Sequence, residues 1–279
     1  MSSSCGRGGP RRCLTTLAAL TAFVAVGVAP GCATRNYPDP AGPALRLDQP
    51  APAAPVSRSL RVVTFNIEHG RRVEAAIAAL RNHPDLREAD LLFLQEMTGT
   101  GVEAMAAALS LAAAYYPASN RGGRDSGCAV LSRWPIERSW KVPLPHRSRT
   151  TGESRAAVGA RIAIGDRAVR AYSVHVSSRF ALTAGQRTDQ VEAVLADVGS
   201  NREPVILAGD LNGHGIGRHF EEAGFTWVSR DAGPSLLGFS VDHVFVRGLP
   251  GLTARAGVAR DVRDASDHRP VWAVLAFSH

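Results

Sequence analysis

The segment VILAGDLNGHG, residues 205–215, runs as an apolar strand until it stops on Asp210, adds Asn212 and dissolves into glycines. Asp, Asn and Gly are the residues of tight turns, so this segment alone is either a strand exit or a site at the open end of a sheet, where α/β folds place their chemistry. Its company decides. Asn66, Glu96, His175, Asp242 and His268 also stand at or beside the ends of strand-like runs. One such residue is turn chemistry, whereas seven make a site. Carboxylates and amides offer oxygen ligands to a hard cation, and imidazoles beside carboxylates offer acid–base groups.

The elements that must hold these residues follow from periodicity. LRVVTFNI alternates and is β-branched, as a strand should be, and VEAAIAALRN has apolar residues at helical spacing. ADLLFLQE reads as a second strand and GVEAMAAALSLAAA as a second helix. GCAVLS, PIERSWKVPL, AAVGARIAI and RAVRAYSVHV follow as strands separated by turns, a rhythm that predicts antiparallel pairing. TAGQRTDQVEAVLADVG is an amphipathic helix with Val191, Val194, Leu195 and Val198 on one face. PVILAGD, a helical stretch near Arg218 to Ala223, VDHVFVRG, LTARAGVA and PVWAVLAF complete a mixed α/β domain. Strand alternation aims His243 away from Asp242, to a structural or exposed position.

The motifs FNI, LQE, SVHV, AGDLN, VDHVFV and SDHRPV, in this order, resemble those of the endonuclease/exonuclease/phosphatase superfamily of DNase I-like proteins, from about Leu60 to Phe277. The resemblance implies a four-layer α/β/β/α sandwich of two mixed, mostly antiparallel sheets, with a catalytic groove along one edge. It implies that Asp210 orients or deprotonates the attacking water and that Asn212 donates to the phosphate. His268 would contact the scissile phosphate or act as a base, held in one tautomer by Asp242, with His175 donating a proton or hydrogen bond from the other side. Arg155, at a strand start, is a phosphate-contact candidate. Hydrolysing a phosphoester needs charge neutralisation, a positioned water and help for the leaving oxygen. Glu96 closes a buried strand, where a carboxylate calls for a cation, and oxygen ligands suit Mg²⁺, with Mn²⁺ as a substitute. Asn66 is expected to join it, with Asp267 as a further metal or water ligand.

The substrate is less defined than the reaction. A nucleic acid, a phospholipid or a small phosphodiester all fit, and a diester is expected over a monoester because the charge is modest. An inositol-phosphate type monoesterase and a non-catalytic phosphate- or nucleic-acid-binding surface lipoprotein stay open as alternatives. The chain lacks the G-x-S-x-G elbow of carboxylic ester hydrolases and any Cys/His cluster of structural zinc. Aromatic residues are 6% of the chain, and none cluster along it.

The 279 residues divide into three parts. Residues 1–32 carry Arg7, Arg11 and Arg12 before an apolar run from Leu14 to Val28, the pattern of an export signal. Cys32 follows a small residue as in a lipoprotein signal, so lipidation there and simple cleavage nearby are both open. Residues 33–59, with six prolines, read as an extended tether, and residues 60–279 as the phosphoesterase-like domain. Loss of the signal removes three arginines and no acid, lowering the net charge from +7 to +4. The expected protein is an exported monomer, periplasmic, extracellular or anchored through Cys32. Cys128 is then the one cysteine of the body, flanked by apolar residues as an inert buried thiol should be.

Overall fold

The computed structural model describes residues 34–48, 59–165, 167–200, 202–262 and 264–278, all within one unit spanning 32–279. The expected export signal and Cys32 lie outside the described residues. Eighteen elements follow in chain order among those described: β1 (Thr34–Asn36), β2 (Leu45–Leu47), β3 (Ser59–Asn66), α1 (Val73–Asn82), β4 (Leu91–Met97), α2 (Gly99–Leu109), β5 (Ala112–Arg121), β6 (Arg124–Ser132), β7 (Ile136–Pro143), β8 (Ala156–Ile164), β9 (Arg167–His175), α3 (Ala184–Val198), β10 (Val205–Asp210), α4 (Arg218–Glu222), β11 (Thr226–Trp227), β12 (Asp242–Arg247), β13 (Thr253–Val258) and β14 (Val271–Ala276).

They form two sheets. One runs β1-β5-β6-β4-β3-β14-β13 with β2 also on β5, and the other runs β11-β12-β10-β9-β8-β7. Among the described strands only β3–β4 and β9–β10 are parallel pairs. The inner faces meet in one core that joins Leu60, Val62, Leu91 and Phe93 of the first sheet to Val158, Ile162, Ile206 and Val244 of the second. The outer face of the first sheet is covered by Val73, Ala76 and Leu80 of α1 and by Val102, Met105 and Ala106 of α2. Val191, Val194 and Val198 of α3 and Phe220 of α4 cover the second. This is the four-layer sandwich. Each large apolar side chain it buries contributes about 1.5–3 kcal/mol relative to exposure.

Two departures from expectation concern the first sheet. The helix read through Ala114 ends at Leu109, where Ser110 takes the left-handed conformation (φ 56°), and Ala112–Ala114 begin β5. Alanine has the highest helix propensity, but here it lines a buried strand between β1/β2 and β6, where tertiary pairing overrides that preference. The proline-rich segment 33–59 is also not simply a tether. Thr34–Asn36 and Leu45–Leu47 both pair antiparallel with β5, supplying the strand edge with partners.

The topology brings the polar strand ends together. β3 and β4 are parallel neighbours whose ends set Asn66 beside Gln95, one residue before Glu96, as β9 and β10 end side by side at His175 and Asp210. β12 and β14 run the opposite way, so the same edge receives their beginnings, with Asp242 opening β12 and His268 three residues ahead of β14. Gly209 makes the β9–β10 approach possible. A Cβ there would lie 1.8 Å from the Val174 carbonyl oxygen, so no other residue fits before Asp210.

Candidate active site

Register alone sets three site residues in a row across adjacent strands: Asp210 pairs with His175 on one side and Asp242 on the other. All three are buried, as are His268 and Asn66. His268 Nδ1 and Asp242 Oδ2 are 2.8 Å apart, which leaves His268 Nε2 facing Asp210 Oδ2 at 3.8 Å. Asp210 Oδ1 accepts from the Asn212 backbone N–H (2.7 Å), and Oδ2 accepts from Asn66 Nδ2 (3.1 Å). Asn212 Nδ2 donates to the Val176 carbonyl (2.8 Å) and stands 3.4 Å from His175 Nε2.

The electrostatics divide the two histidines. Burial pushes the His175 pKa well below its ordinary value, and the charges of Arg155 and His268 push it further, so His175 is a neutral imidazole. It can offer a hydrogen bond but holds no imidazolium proton to give. Burial acts on His268 in the same sense, yet the Asp242 carboxylate, its hydrogen bond, and then Asp210 and Asp267 prevail and raise it to about 10. Asp210 is raised to about 7 by burial and then by Asp242, against the opposing pull of His268. A carboxylate that titrates near neutrality beside a stable imidazolium suits a base and an electrostatic stabiliser in one site.

Glu96 occupies a bulge. The β4–β6 register slips between Leu94 and Met97, and Glu96 takes a left-handed φ of 54° that turns its carboxylate out of the strand line. Its oxygens face His69 Nε2 (3.2 Å), Arg155 (3.7 Å) and His175 Nε2 (3.8 Å). Arg155 is therefore at the site, next to Glu96. Asn66 is held at both ends, its Oδ1 accepting from the Glu68 N–H (3.1 Å) while its Nδ2 reaches Asp210.

Asp267 stands at the rim of the site, next to His268. Its charge helps to raise His268, and it is itself exposed, its carboxylate 3.3 Å from the neighbouring Ser266 hydroxyl. The reason is local: Ser266 also donates to the Asn66 carbonyl (2.7 Å) and accepts from the His268 N–H (3.1 Å), turning the buried face of the SDH segment toward Ser266 and His268. Among the described residues, the three-ligand group of His, Cys, Asp or Glu is Asp210, Asp242 and His268, with ligand atoms within 4.8 Å of one another. Within that group His268 Nδ1 and Asp242 Oδ2 are engaged with each other, which leaves His268 Nε2 and Asp242 Oδ1.

A divalent cation fits what is present. Glu96, Asn66 and Asp210 offer hard oxygen atoms, Asp242 Oδ1 is buried without a hydrogen-bond partner, and the repulsion between Asp210 and Asp242 is what a cation would relieve. Cys128, whose thiol burial pushes up to about 12, donates to the Ala156 carbonyl and takes no part.

Several positioning residues escaped sequence reasoning. Gln95 is buried and links the sheets beneath the site, receiving from Thr64 Oγ1 (3.3 Å) and donating to Ser173 Oγ (3.0 Å). Arg187 donates to the carbonyls of Ser177, Leu211 and Asn212 and so fixes the loop that carries Asn212. His69 sits on Glu96. His243 is structural, buried against Trp227, whose indole N–H donates to its Nδ1 (3.3 Å). Beside Glu96 and Arg155 opens a groove of about 580 Å³ whose walls include Arg121, Arg124, Ser148 and Ser177.

Two sheets packed face to face with an acid, a carboxylate–imidazole dyad and amide donors gathered at one edge define a DNase I-like sandwich. The chain belongs to the Endonuclease/Exonuclease/phosphatase family, whose model matches residues 63–268. It is 30% identical over 252 residues to a UPF0294 protein of Yersinia pseudotuberculosis, covering 82% of this chain and 90% of that one. Among solved structures it resembles an endonuclease/exonuclease/phosphatase from Beutenbergia cavernae, with TM-score 0.63 and 21% identity over 80% of this chain and 72% of that one. It also resembles D. rerio TDP2 complexed with single strand DNA product, with TM-score 0.60 and 16% identity over 78% of this chain and 99% of that one.

Proposed function

We propose that the protein is an exported, divalent-metal-dependent hydrolase of phosphodiesters. The observation that carries the reading is the meeting of Asp210 with the His268–Asp242 dyad, 3.8 Å from carboxylate to imidazole, beside the Glu96 carboxylate and the basic groove. Asp210, free to ionise near neutrality, takes a proton from the attacking water. His268, charged across the working pH range, faces the same space and stabilises the phosphoryl oxygens. Asn212 and neutral His175 add hydrogen-bond donors, and Arg155 adds a fixed cation. Glu96 with Asn66 would hold Mg²⁺ or Mn²⁺, which when bound supplies charge neutralisation at the phosphoryl group.

The preference for a diester rests on the singly charged phosphate such an ester presents, which one guanidinium, one imidazolium and a cation can match. Arg121 and Arg124 along the groove favour a substrate with further negative charge beyond the scissile group. Export rests on the arginine-led apolar segment before Cys32. The test is hydrolysis of DNA, RNA, phospholipids, inositol phosphates and bis(4-nitrophenyl) phosphate by the purified protein with Mg²⁺, Mn²⁺ or EDTA. Metal-restored cleavage of a diester is the expected result, and equal rates in excess EDTA would overturn it. Fractionation of expressing cells, with the mass of the mature amino terminus, tests export, which full-length protein in the cytosol would refute.

A further inference from the structure

Three large apolar side chains stand in water at one rim of the molecule: Leu237 is 88% exposed, Phe180 73% and Phe239 58%. Phe180 is distant in sequence from Leu237 and Phe239, which share one hairpin, yet lies near Phe239 in space. The Arg179 guanidinium lies 5.0 Å from the Phe180 ring centroid and 5.8 Å from that of Phe239. Leu237 and Gly238 form the tip of a hairpin closed by hydrogen bonds between Leu236 and Phe239, with φ of 43° and 88°. A two-residue turn with both φ values positive favours Asn-Gly, and a leucine there is strained. Leu237 thus carries a conformational and a solvation disadvantage together, which marks a side chain kept for a contact outside the chain.

The rim belongs to the active-site edge. The hairpin is anchored by Ser235, whose carbonyl accepts from the Arg269 N–H (2.8 Å), next to His268, and whose hydroxyl accepts from the Asp242 N–H (3.2 Å). Phe180 follows Ser177 and Ser178, which line the groove, and the Ala181 carbonyl is held by Arg149. Arg149 and Arg179 are exposed. On the groove's other wall Arg121 and Arg124 face each other directly across the β5–β6 pair, an unfavourable juxtaposition of like charges unless an anion joins them. Exposed apolar tips beside the exposed guanidinium groups of Arg149 and Arg179 match an apolar layer beneath anionic headgroups.

We propose that this rim is a membrane-docking surface. Leu237, Phe180 and Phe239 enter the headgroup region of an anionic phospholipid bilayer, Arg179 and Arg149 meet its phosphates, and the groove is held over the lipid headgroups. Resting on the phosphodiesterase reading above, the substrate class is then a phospholipid headgroup diester. Among the described residues no helix is long and apolar enough to cross a membrane.

The test uses the full gene carrying Cys32→Ser, so that no acyl chain can be attached, and the processed protein purified from it. Co-sedimentation is measured with vesicles of phosphatidylcholine alone and of phosphatidylcholine with phosphatidylglycerol. Binding should be at least ~10-fold tighter to the anionic vesicles, and Leu237→Asn with Phe180→Ser should weaken it at least ~10-fold, the effect expected for withdrawing two large apolar side chains. Asn fits the turn better than Leu, so the melting temperature should hold, and hydrolysis of the soluble bis(4-nitrophenyl) ester should stay within about twofold. Wild-type protein that ignores anionic vesicles, or a double variant that binds them equally well, would overturn the proposal. A dimer in sedimentation velocity that the double variant abolishes would give the rim to a second copy instead, and loss of tight single-stranded DNA binding in that variant would give it to nucleic acid. Vesicle binding without any diesterase activity would uphold the docking surface and remove the enzymatic reading.

Discussion

Replacing Asp242 with Asn should move the alkaline limit of catalysis and leave the fold standing. His268 is buried, which opposes its charge, and it holds its proton to about 10 because Asp242 and then Asp210 and Asp267 outweigh that burial. Asp210 is lifted to about 7 by burial and by the same Asp242 carboxylate. Wild-type hydrolysis should accordingly rise as Asp210 ionises near pH 7 and fall only toward pH 10. Without the Asp242 charge, His268 loses the leading cause of its elevation and Asp210 loses its like-charged neighbour, so both limbs move to lower pH. If His268 returned only to the ordinary value of about 6.5, its protonated fraction at pH 8 would drop to ~3%, roughly a 30-fold loss from charge state alone. An asparagine that presents its N–H rather than its oxygen would add a tautomer defect to this. The assay is kcat/KM for bis(4-nitrophenyl) phosphate from about pH 5 to about pH 10.5 at fixed excess Mg²⁺, with a thermal melt at each pH. An alkaline limb still near pH 10 in folded Asp242→Asn would refute the assignment of the His268 charge to its partner.

Three other outcomes follow from the same geometry. Asp210 has its folded pKa raised above the unfolded value, so its contribution to stability is full at low pH and lost as pH rises through about 7. Asp210→Asn should therefore be more stable than wild type at pH 8 in EDTA, by on the order of 1 kcal/mol in a melt, while turnover falls at least ~10²-fold; a less stable variant would contradict the repulsion with Asp242. Glu96→Gln should raise the Mg²⁺ concentration for half-maximal rate at least ~10-fold, read from metal titrations, and unchanged metal dependence would remove Glu96 from the cation site. Gly209→Ala should cost more than ~3 kcal/mol in denaturant unfolding, because the Val174 carbonyl cannot yield without opening β9–β10; a cost below about 1 kcal/mol would mean the strands part easily.

What the sequence discloses depends on the range of the cause. Asn66, Glu96, His175, Asp210 and Asp242 were readable because each interrupts or closes an apolar strand, a local signal, and because parallel and antiparallel pairing then delivers all of them to one edge. β5 was not readable, since AAAYYPASNR has no alternation and its alanines favour helix until sheet neighbours claim them. β1 and β2 were hidden by prolines that are tolerated beside short edge strands. Gln95, Ser173, Ser266 and Arg187 look ordinary in one dimension, and their partners lie ten to two hundred residues away. The same distance concealed the pairing of Phe180 with Phe239 over Arg179. Asp267 is a motif position whose exposure was not legible in the sequence, because the Ser266 turn that sets it depends on the distant Asn66 carbonyl.

The opening ambiguity, a turn or a site, is resolved by which residues bear strain. Asn212 has φ of 52°, but asparagine tolerates the left-handed region, and its bonds to Asp210 and Val176 are what an ordinary turn would make. Those bonds by themselves would leave the bland reading intact. Glu96 is different. At φ 54° it is a long carboxylate in a conformation it disfavours, in a bulge that breaks the β4–β6 ladder, and across from it His69 is also left-handed at φ 59°. Two such residues meet side chain to side chain at the sheet edge that also holds an Asp242 oxygen buried without a hydrogen-bond partner and an Asp210 raised by burial and then by Asp242, and each of these costs stability. A turn gains nothing from that arrangement, whereas the proposed site, holding a cation and a phosphate against a base and an imidazolium, would account for it.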